Sequence, residues 1–179
     1  MKNFLVVCIC FYLFIPVVAF AEDESDIATG AKSAILIEAS TGEVIYEKNS
    51  HEKLPPASMT KMMSMLLVIE SIENDVLKWD DVVTISANAS GMGGSQILLE
   101  TGDQVTVEDL FKGVAVMSGN DAVVALAEAV SGSVDEFVKR MNERAKELGM
   151  NDTNFKNPHG LDDANHYTSA YDMSILARE

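Results

Sequence analysis

The sequence predicts an α+β fold in which a helical part surrounds one apolar helix and packs against part of an antiparallel sheet. Three observations support this fold class. Two alternating segments, residues 33–39 and 43–48, flank a turn at residues 40–42 and predict a β-hairpin. Residues 58–73 are apolar on almost every side, which is typical of a helix buried in the middle of a domain. Several later stretches begin with capping residues and end at glycine, which predicts further helices around it.

The elements after the apolar helix follow from short start and stop signals. Thr106 and Ser133 each stand three positions before an acidic residue, a pattern that caps a helix N-terminus. The elements predicted in chain order are a strand over residues 82–85, a glycine-rich flexible loop over 91–94, helices from Thr106 to about Met117, from Asp121 to Val130 and from Ser133 to Gly149, a polar stretch over 151–167 and a last helix from Thr168.

The first 21 residues predict a secretory signal peptide. A lysine precedes the apolar residues 4–20, and this run closes on an A-x-A cleavage site that ends at Ala21. An uncleaved membrane anchor is disfavoured because the run is short for a bilayer and contains Pro16. We therefore expect an extracytoplasmic location (secreted, periplasmic or envelope-associated) and a disordered leader over residues 22–32.

Composition excludes several classes of function. The chain has 13 Lys and Arg against 28 Asp and Glu, a formal charge of −15, so nucleic acid is not an expected partner. Cys8 and Cys10 both lie in the signal peptide, which leaves no cysteine for disulfides, thiol catalysis or thiolate metal sites. His51, His159 and His166 lack the spacing of metal ligands and are expected to serve loop structure or solvent contact.

Ser58 and Lys61 form the pattern that carries chemistry. Their spacing on the first turn of the apolar helix points both side chains to the same side. Burial and the helix dipole both favour a neutral lysine amine, which can act as the base that activates a serine hydroxyl. The alternative is an N-cap serine beside a solvated lysine. A second Ser-x-x-Lys, Ser50 to Lys53, lies in a polar loop with no helix to align it and is interpreted as a chance match.

Ser118-Gly119-Asn120 is the second candidate pattern. It lies at a break between two helices, where a hydroxyl and a carboxamide can enter one cleft. The hydroxyl can relay a proton, and the carboxamide can hold a lysine or a substrate carbonyl. The alternative is a helix end followed by an N-cap. A similar string, Ser86-Ala87-Asn88, follows a strand and is interpreted as a chance match.

Four short segments stand in one order along the chain. They are Ser-Met-Thr-Lys after Pro-Pro-Ala, Gly-Gly-Ser-Gln-Ile-Leu-Leu-Glu from Gly93, Met-Ser-Gly-Asn-Asp-Ala from Met117 and Asn-Pro-His-Gly-Leu from Asn157. Together they resemble the D-alanyl-D-alanine carboxypeptidases of peptidase family S11, the low-molecular-mass penicillin-binding proteins, from about residue 31 to the end. The resemblance implies a β-lactamase/transpeptidase-like fold and no metal or other cofactor.

The resemblance also implies a role for each candidate residue. Ser58 resembles the acylated nucleophile and Lys61 its general base, while Ser118 resembles the proton relay to the leaving D-alanine. Asn120 resembles the substrate-binding residue that positions Lys61 and the substrate amide. The implied reaction removes the terminal D-alanine from peptidoglycan stem peptides ending in D-Ala-D-Ala, through an acyl-enzyme that water hydrolyses. β-Lactams, which mimic D-Ala-D-Ala, are expected to acylate Ser58.

The third motif of the family, Lys-Thr-Gly or Lys-Ser-Gly, is absent from this sequence. The nearest string, Lys32-Ser33-Ala34, stands at the wrong end and lacks the glycine. In the family this motif lies on a sheet strand and helps to form the oxyanion hole, where losing one donor costs roughly 2.7 to 4 kcal/mol. We therefore interpret residues 33–179 as the N-terminal part of the peptidase domain of a longer protein and expect uncovered apolar faces on the Ser58 helix.

Two other functions stay open at this point. A serine β-lactamase on the same scaffold needs a carboxylate that activates the deacylating water, and no glutamate is marked for that role. A truncated, non-catalytic wall-binding remnant needs no activity at all. Membrane attachment is also left open, because the C-terminal region that would carry it in the family is not in the sequence.

Overall fold

The computed structural model describes residues 27–179; the predicted signal peptide and residues 22–26 lie outside this range. The predicted α+β class is confirmed, since six helices and two short antiparallel sheets make up the described part of the chain. No helix within this range is long and apolar enough to cross a membrane. The elements are β1 (Ala34–Ile37), β2 (Val44–Lys48), a 3-10 turn (Ala57–Thr60), α1 (Lys61–Glu73), β3 (Val82–Thr84), α2 (Ala87–Ser90), β4 (Gln104–Thr106), α3 (Val107–Met117), α4 (Asn120–Ser131), α5 (Val134–Glu147) and α6 (Ala170–Arg178).

The predicted hairpin of β1 and β2 is confirmed. The strands pair antiparallel, and the register shifts between Leu36 and Ile37. Gly42 has φ +78° in the connecting turn, and a Cβ at this position would overlap the guanidinium of Arg178. That guanidinium donates to the carbonyls of Ala39 and Ser40 at 3.0 and 3.2 Å. Helix α6 is thereby fastened to the hairpin turn.

The end of the predicted disordered leader, residues 27–32, has defined contacts instead. Residues 27–30 form a turn, in which the N–H of Ala31 donates to the Ala28 carbonyl at 2.9 Å. Lys48 donates to the same carbonyl at 3.0 Å, and Asn49 donates to the Lys32 carbonyl at 3.0 Å. The structure differs from the predicted disorder here because the end of β2 supplies hydrogen-bond donors that the local composition does not reveal.

Helix α4 occupies the centre of the helical part. Every residue from Asn120 to Ala127 is buried, and α4 packs against α1, α2, α3 and α5. Helix α1, which the sequence predicts to be buried in the middle of the domain, has a buried side and packs against α3, α4, α5 and α6. The small side chains of α4, many of them alanine and valine, allow neighbouring helices to approach closely, whereas many side chains of α1 are the larger methionine and leucine.

Helix α1 is covered on one side only. Met63, Leu67 and Val68 belong to the hydrophobic core. The other side lines an open groove of about 510 Å³, together with side chains from α3 and α6. The methionines and aliphatic residues on this open side are Met62, Met65, Leu66 and Ile69. The expectation of uncovered apolar faces on this helix is therefore confirmed.

The predicted helix starts are confirmed by their caps. Thr106 Oγ1 accepts from the N–H of Asp109 at 3.1 Å, and Ser133 Oγ accepts from the N–H of Glu136 at 3.2 Å. Strand β4 and helix α2 are not foreseen by the sequence pattern. Ser86, the first residue of the Ser86-Ala87-Asn88 string, is the N-cap of α2.

Candidate active site

Ser58 and Lys61 face each other at the start of α1. Ser58 lies on the 3-10 turn, not on the first turn of the α-helix as predicted, and Lys61 is the first residue of α1. A 3-10 turn has three residues per turn, so side chains at i and i+3 eclipse one another. Lys61 Nζ lies 3.3 Å from Ser58 Oγ and donates to it. The predicted pair is therefore assembled, by a tighter turn than expected.

Lys61 has the environment of a lysine that can lose its proton. The residue is only 3% exposed, and burial lowers its pKa from 10.5 to about 8. Its hydrogen bonds within residues 27–179 go to Ser58 Oγ and, at 2.9 Å, to the His159 carbonyl, and neither acceptor carries a charge. At this distance a neutral Lys61 amine could accept the proton of the serine hydroxyl, which is the arrangement of a base beside a nucleophile.

The loop at residues 157–161 packs onto the Ser58 turn. Besides the bond to Lys61, its Pro158 carbonyl accepts from the buried Ser64 Oγ at 2.7 Å. Gly160 has φ +88°, and a Cβ there would overlap the carbonyl of Ala57. Only glycine fits this approach without a shift of backbone. No contact of this loop with the Ser58 turn is predicted from the sequence, and Gly160 within Asn-Pro-His-Gly-Leu is the residue that signals such a close backbone contact.

Ser118 combines two unusual features. It is a non-glycine residue in the left-handed region, with φ 56° and ψ 34°, at the C-cap of α3. Its buried hydroxyl has no hydrogen-bond partner within residues 27–179. Both features cost free energy, about 1 to 3 kcal/mol for the unpaired hydroxyl, and such costs are concentrated at functional sites. Ser118 thus keeps a hydroxyl available in the break between α3 and α4.

Asn120 and Asp121 fasten the 93–99 segment to the start of α4. Asn120 Nδ2 donates to the Gly93 carbonyl at 2.7 Å, and the buried Asp121 carboxylate accepts from two N–H groups of the segment at 3.1 Å. No hydrogen bond joins Asn120 to Lys61 within residues 27–179. The inferred role of Asn120 toward Lys61 therefore stays a prediction, and its observed contact is with the glycine-rich segment.

The two candidate patterns are linked through Gly94. A Cβ at Gly94 would lie 2.7 Å from Asn120 Nδ2 and 3.8 Å from Leu161 Cδ2. Leu161 belongs to the loop that binds Lys61, so Gly94 lies near both Asn120 and that loop. Helices α1 and α4 also pack against each other directly. The glycine-rich segment therefore lies next to Asn120 and next to the 157–161 loop.

The second Ser-x-x-Lys does not form a pair. Ser50 Oγ donates to Glu47 Oε2 at 2.6 Å. The amine of Lys53 lies 5.1 Å from the centre of the Tyr167 ring and 3.8 Å from the Asp152 carboxylate. Its interpretation as a chance match is confirmed, because the two side chains have separate partners.

The histidines have structural surroundings. His51 is exposed and its Nδ1 lies 2.8 Å from Asp152 Oδ2. His159 is half-buried in the 157–161 loop, where burial, and then the charge of Lys61, lowers its pKa to about 4. His166 is 3% exposed and contacts Thr60. The expected roles in loop structure for the last two and in solvent contact for His51 match these positions.

A family model described as D-alanyl-D-alanine carboxypeptidase (Peptidase S11) matches residues 19–179. D-alanyl-D-alanine carboxypeptidase DacF of Bacillus subtilis is 55% identical over 165 residues, which is 90% of this chain and 42% of that protein. D-alanyl-D-alanine carboxypeptidase DacC of Escherichia coli is 41% identical over 175 residues, 93% of this chain and 44% of that protein. The chain thus spans less than half the length of these curated relatives.

Solved structures agree with the sequence relatives. Penicillin binding protein 5 from Haemophilus influenzae superposes with a TM-score of 0.81 at 41% identity, over 83% of this chain and 44% of that chain. Penicillin binding protein 6B from Escherichia coli gives 0.79 at 39% identity, over 83% and 48%. The expected fold is thereby confirmed as an incomplete form of the penicillin-binding protein fold. Since the family model covers nearly all of the chain, the chain belongs to peptidase family S11.

Proposed function

We propose that the protein is a serine-type D-Ala-D-Ala carboxypeptidase that removes the terminal D-alanine from peptidoglycan stem peptides. The observation that carries the proposal is the Ser58–Lys61 pair. A buried lysine with a pKa lowered to about 8 lies 3.3 Å from a serine hydroxyl at the start of a helix. Membership of the S11 family supplies the substrate class. The activity is proposed for the intact native protein, because this chain spans less than half the length of its curated relatives.

The first half of the reaction uses the two side chains as follows. Ser58 Oγ attacks the carbonyl carbon of the D-Ala-D-Ala bond, and its proton passes to the neutral amine of Lys61. The carbon–nitrogen bond then breaks, and the leaving D-alanine nitrogen takes up a proton. An ester between Ser58 and the shortened stem peptide remains. In the second half, water attacks this ester, which releases the peptide and restores the serine hydroxyl.

Ser118 and Asn120 have proposed roles around this step. The buried Ser118 hydroxyl, unpaired within residues 27–179, can pass a proton toward the leaving nitrogen once a substrate provides a partner. Asn120 Nδ2 donates to the Gly93 carbonyl at 2.7 Å, which holds its carboxamide beside the glycine-rich segment. We assign Asn120 to substrate binding through the amide of the stem peptide, and Ser118 to proton relay.

β-Lactams are the proposed covalent inhibitors of the same serine. They would form an ester with Ser58 by opening the lactam ring, which is the same acylation without a departing group. The names of the structural relatives, penicillin binding proteins 5 and 6B, support this assignment. We propose slow hydrolysis of that ester, because no carboxylate in the described chain contacts Ser58 or Lys61 to activate water. Rapid turnover of nitrocefin by the native protein would favour a β-lactamase instead.

The test combines product release with the site of labelling. The intact native protein is incubated with an acylated L-Lys-D-Ala-D-Ala tripeptide, and free D-alanine is measured. A fluorescent penicillin is added in parallel, and the labelled tryptic peptide is identified by mass. We expect D-alanine release and a label on the peptide that carries Ser58. Absence of both, or a label on another serine, would contradict the proposed function.

We also propose that the protein acts outside the cytoplasm, where its peptidoglycan substrate is found. The proposal is supported by the apolar run and the A-x-A site ending at Ala21. N-terminal sequencing of the protein from its native cells is expected to start at Glu22. A mature protein that still begins at residue 1 would contradict cleavage.

A further inference from the structure

A buried histidine lies directly beneath the turn that carries the nucleophile. His166 is 3% exposed and its Nε2 lies 2.7 Å from Thr60 Oγ1. Thr60 is fully buried and is the last residue of the 3-10 turn, between Ser58 and Lys61 in the chain. The side chain of Thr60 therefore connects the catalytic turn to a residue more than a hundred positions away, in the polar 151–167 stretch.

The hydrogen bonds of His166 fix its protonation state. The backbone N–H of Lys156 donates to His166 Nδ1 at 3.0 Å. A backbone amide can only donate, so Nδ1 must carry a lone pair, and the ring proton is on Nε2. Nε2–H then donates to Thr60 Oγ1. A second proton on Nδ1 would oppose the Lys156 N–H, so the observed arrangement requires a neutral imidazole.

The surroundings of His166 favour the neutral ring. Phe155 packs edge-on against it, with ring centres 5.8 Å apart. Burial lowers the pKa of His166, and the carboxylates of Asp162 and Asp163 on the same loop oppose this effect in part. The other titratable groups of this region, on the 157–161 loop and α1, are His159 and Lys61. Burial, and then the charges of Lys61 and His166, lower the pKa of His159 to about 4, so its ring is neutral near neutral pH.

Three other contacts join residues 157–161 to the Ser58 turn and to α1. They consist of the His159 carbonyl with Lys61, the Pro158 carbonyl with Ser64, and the backbone contact of Gly160. All three come from residues 158–160. His166 lies further along the polar 151–167 stretch and contacts Thr60 of the 3-10 turn. Besides the bond of Lys61 to the His159 carbonyl, the pair of His166 and Thr60 is thus a contact in this set that includes a titratable side chain.

We propose that neutral His166 is a positioning residue for Ser58 and Lys61, which acts through its hydrogen bond to Thr60, and that protonation of its ring loosens the turn and slows acylation. The inference rests on the proposed function of Ser58. His166 does not touch the reacting atoms. Its effect is on the geometry of the serine–lysine pair, and it adds a second proton dependence to the one that Lys61 imposes.

The first experiment uses two amide substitutions of His166 in the intact native protein. The nitrogen of glutamine can reach the position of Nε2, so His166→Gln keeps the donor to Thr60 and cannot titrate. The oxygen of asparagine can reach the position of Nδ1, so His166→Asn keeps the acceptor for Lys156 and loses the donor to Thr60. We measure the second-order rate of acylation by a fluorescent penicillin from about pH 5 to about pH 9.

The expected result is a difference in pH profile. Below the pKa of Lys61, the wild-type rate of acylation falls about tenfold per pH unit. Below the pKa of His166 it falls more steeply, because protonation of Lys61 and protonation of His166 then both slow acylation. His166→Gln retains a rate near wild type at neutral pH and loses the steeper limb. His166→Asn is slower by about tenfold or more at neutral pH. His51→Gln, at an exposed histidine, is the matched control and keeps the wild-type profile.

A second pair of variants covers the case in which a His166 variant fails to fold, as judged by its thermal unfolding. Thr60→Val keeps the shape and removes the acceptor, whereas Thr60→Ser keeps the hydroxyl. Slow acylation in the valine variant with recovery in the serine variant supports the inference. Wild-type rates in Thr60→Val, or an unchanged steep limb in His166→Gln, overturn it while leaving the proposed function intact. If the wild-type protein is not acylated on Ser58, the proposed function and this inference both fail.

Discussion

The pattern Ser-x-x-Lys occurs twice in the chain, and in one copy only do the serine and the lysine contact each other. In the segment from Ser58 to Lys61, the amine lies 3.3 Å from the hydroxyl, and Lys61 is 3% exposed. In the segment from Ser50 to Lys53, the serine binds Glu47, and the lysine side chain is 49% exposed. The spacing in sequence is identical, so the spacing alone does not create a reactive pair.

The difference lies in what surrounds each copy. A 3-10 turn that leads into a helix aligns Ser58 with Lys61, and the 157–161 loop covers the lysine and removes it from water. Neither feature is available to the second copy, in which Ser50 is buried against Glu47 and Lys53 is exposed. A neutral lysine amine requires desolvation, and desolvation requires tertiary structure that a tetrapeptide does not specify. Substitutions at equivalent positions of the two copies therefore test this explanation directly.

The largest expected effect is at the two serines. Ser58→Ala removes the proposed nucleophile and should reduce D-alanine release and penicillin labelling by roughly 10³-fold or more. Ser50→Ala removes only the bond to Glu47 and should leave both activities at the wild-type level. Both are measured on the intact native protein by D-alanine release. Substantial release by Ser58→Ala would show that the nucleophile is another residue.

The lysines should show the next largest effect. Lys61→Met keeps the length of the side chain in a buried position but has no amine, so acylation should fall by roughly 10² to 10⁴-fold, the usual contribution of a general base. Lys53→Met changes an exposed side chain and should alter neither acylation nor stability by more than about 0.5 kcal/mol. The measurement is the rate of acylation by fluorescent penicillin. Equal rates in the two variants would remove Lys61 from the mechanism.

Much of the fold can be predicted from the sequence because its signals are local. The hairpin follows from alternation around residues 40–42, and the starts of α3 and α5 follow from Thr106 and Ser133, whose side chains accept the expected backbone bonds. The burial of α1 is predicted as well, but the central place of α4 is not. Hydrophobicity around a helix shows that it can be buried, but the residues that pack on it come from distant segments, so it does not show which side is covered.

The site could be predicted to the same extent. Ser58, Lys61 and Ser118 are predicted from motif and resemblance. In the structure Lys61 is buried and contacts Ser58, and the Ser118 hydroxyl has no hydrogen-bond partner within residues 27–179. The contacts that hold the turn in place were not predicted. Gly160 and His166 act on residues about a hundred positions earlier in the chain, and no local pattern reports a contact of that sequence separation.

The pH dependence of acylation tests whether Lys61 is removed from water, which is the explanation given for the difference between the two copies. Its pKa is lowered by burial to about 8, so the neutral amine accumulates as the pH rises to that value. We expect the acylation rate to increase about tenfold per unit below pH 8, in the range where His166 is neutral, and to level above it. A midpoint near the ordinary value of 10.5 would show that Lys61 is as hydrated as an exposed lysine, and the explanation from burial would then be wrong.

The smallest expected effect on acylation comes from the loop that distinguishes the two copies. Gly160→Ala places a Cβ against the Ala57 carbonyl at φ +88°, so the turn that carries Ser58 must shift. We expect acylation to fall by about tenfold and the free energy of unfolding by several kcal/mol, roughly 1 to 2 of them from the positive φ alone.

Gly149→Ala separates the two contributions of the Gly160 substitution. Gly149 has φ +81°, and a Cβ there would meet no atom within 4 Å. This variant should lose only the backbone part, about 1 to 2 kcal/mol in the free energy of unfolding, and should acylate at the wild-type rate. Denaturant unfolding and penicillin acylation measure the two quantities. If Gly160→Ala behaves like Gly149→Ala in both, then the close packing of the 157–161 loop does not position Ser58, and burial of Lys61 alone accounts for the difference between the two copies.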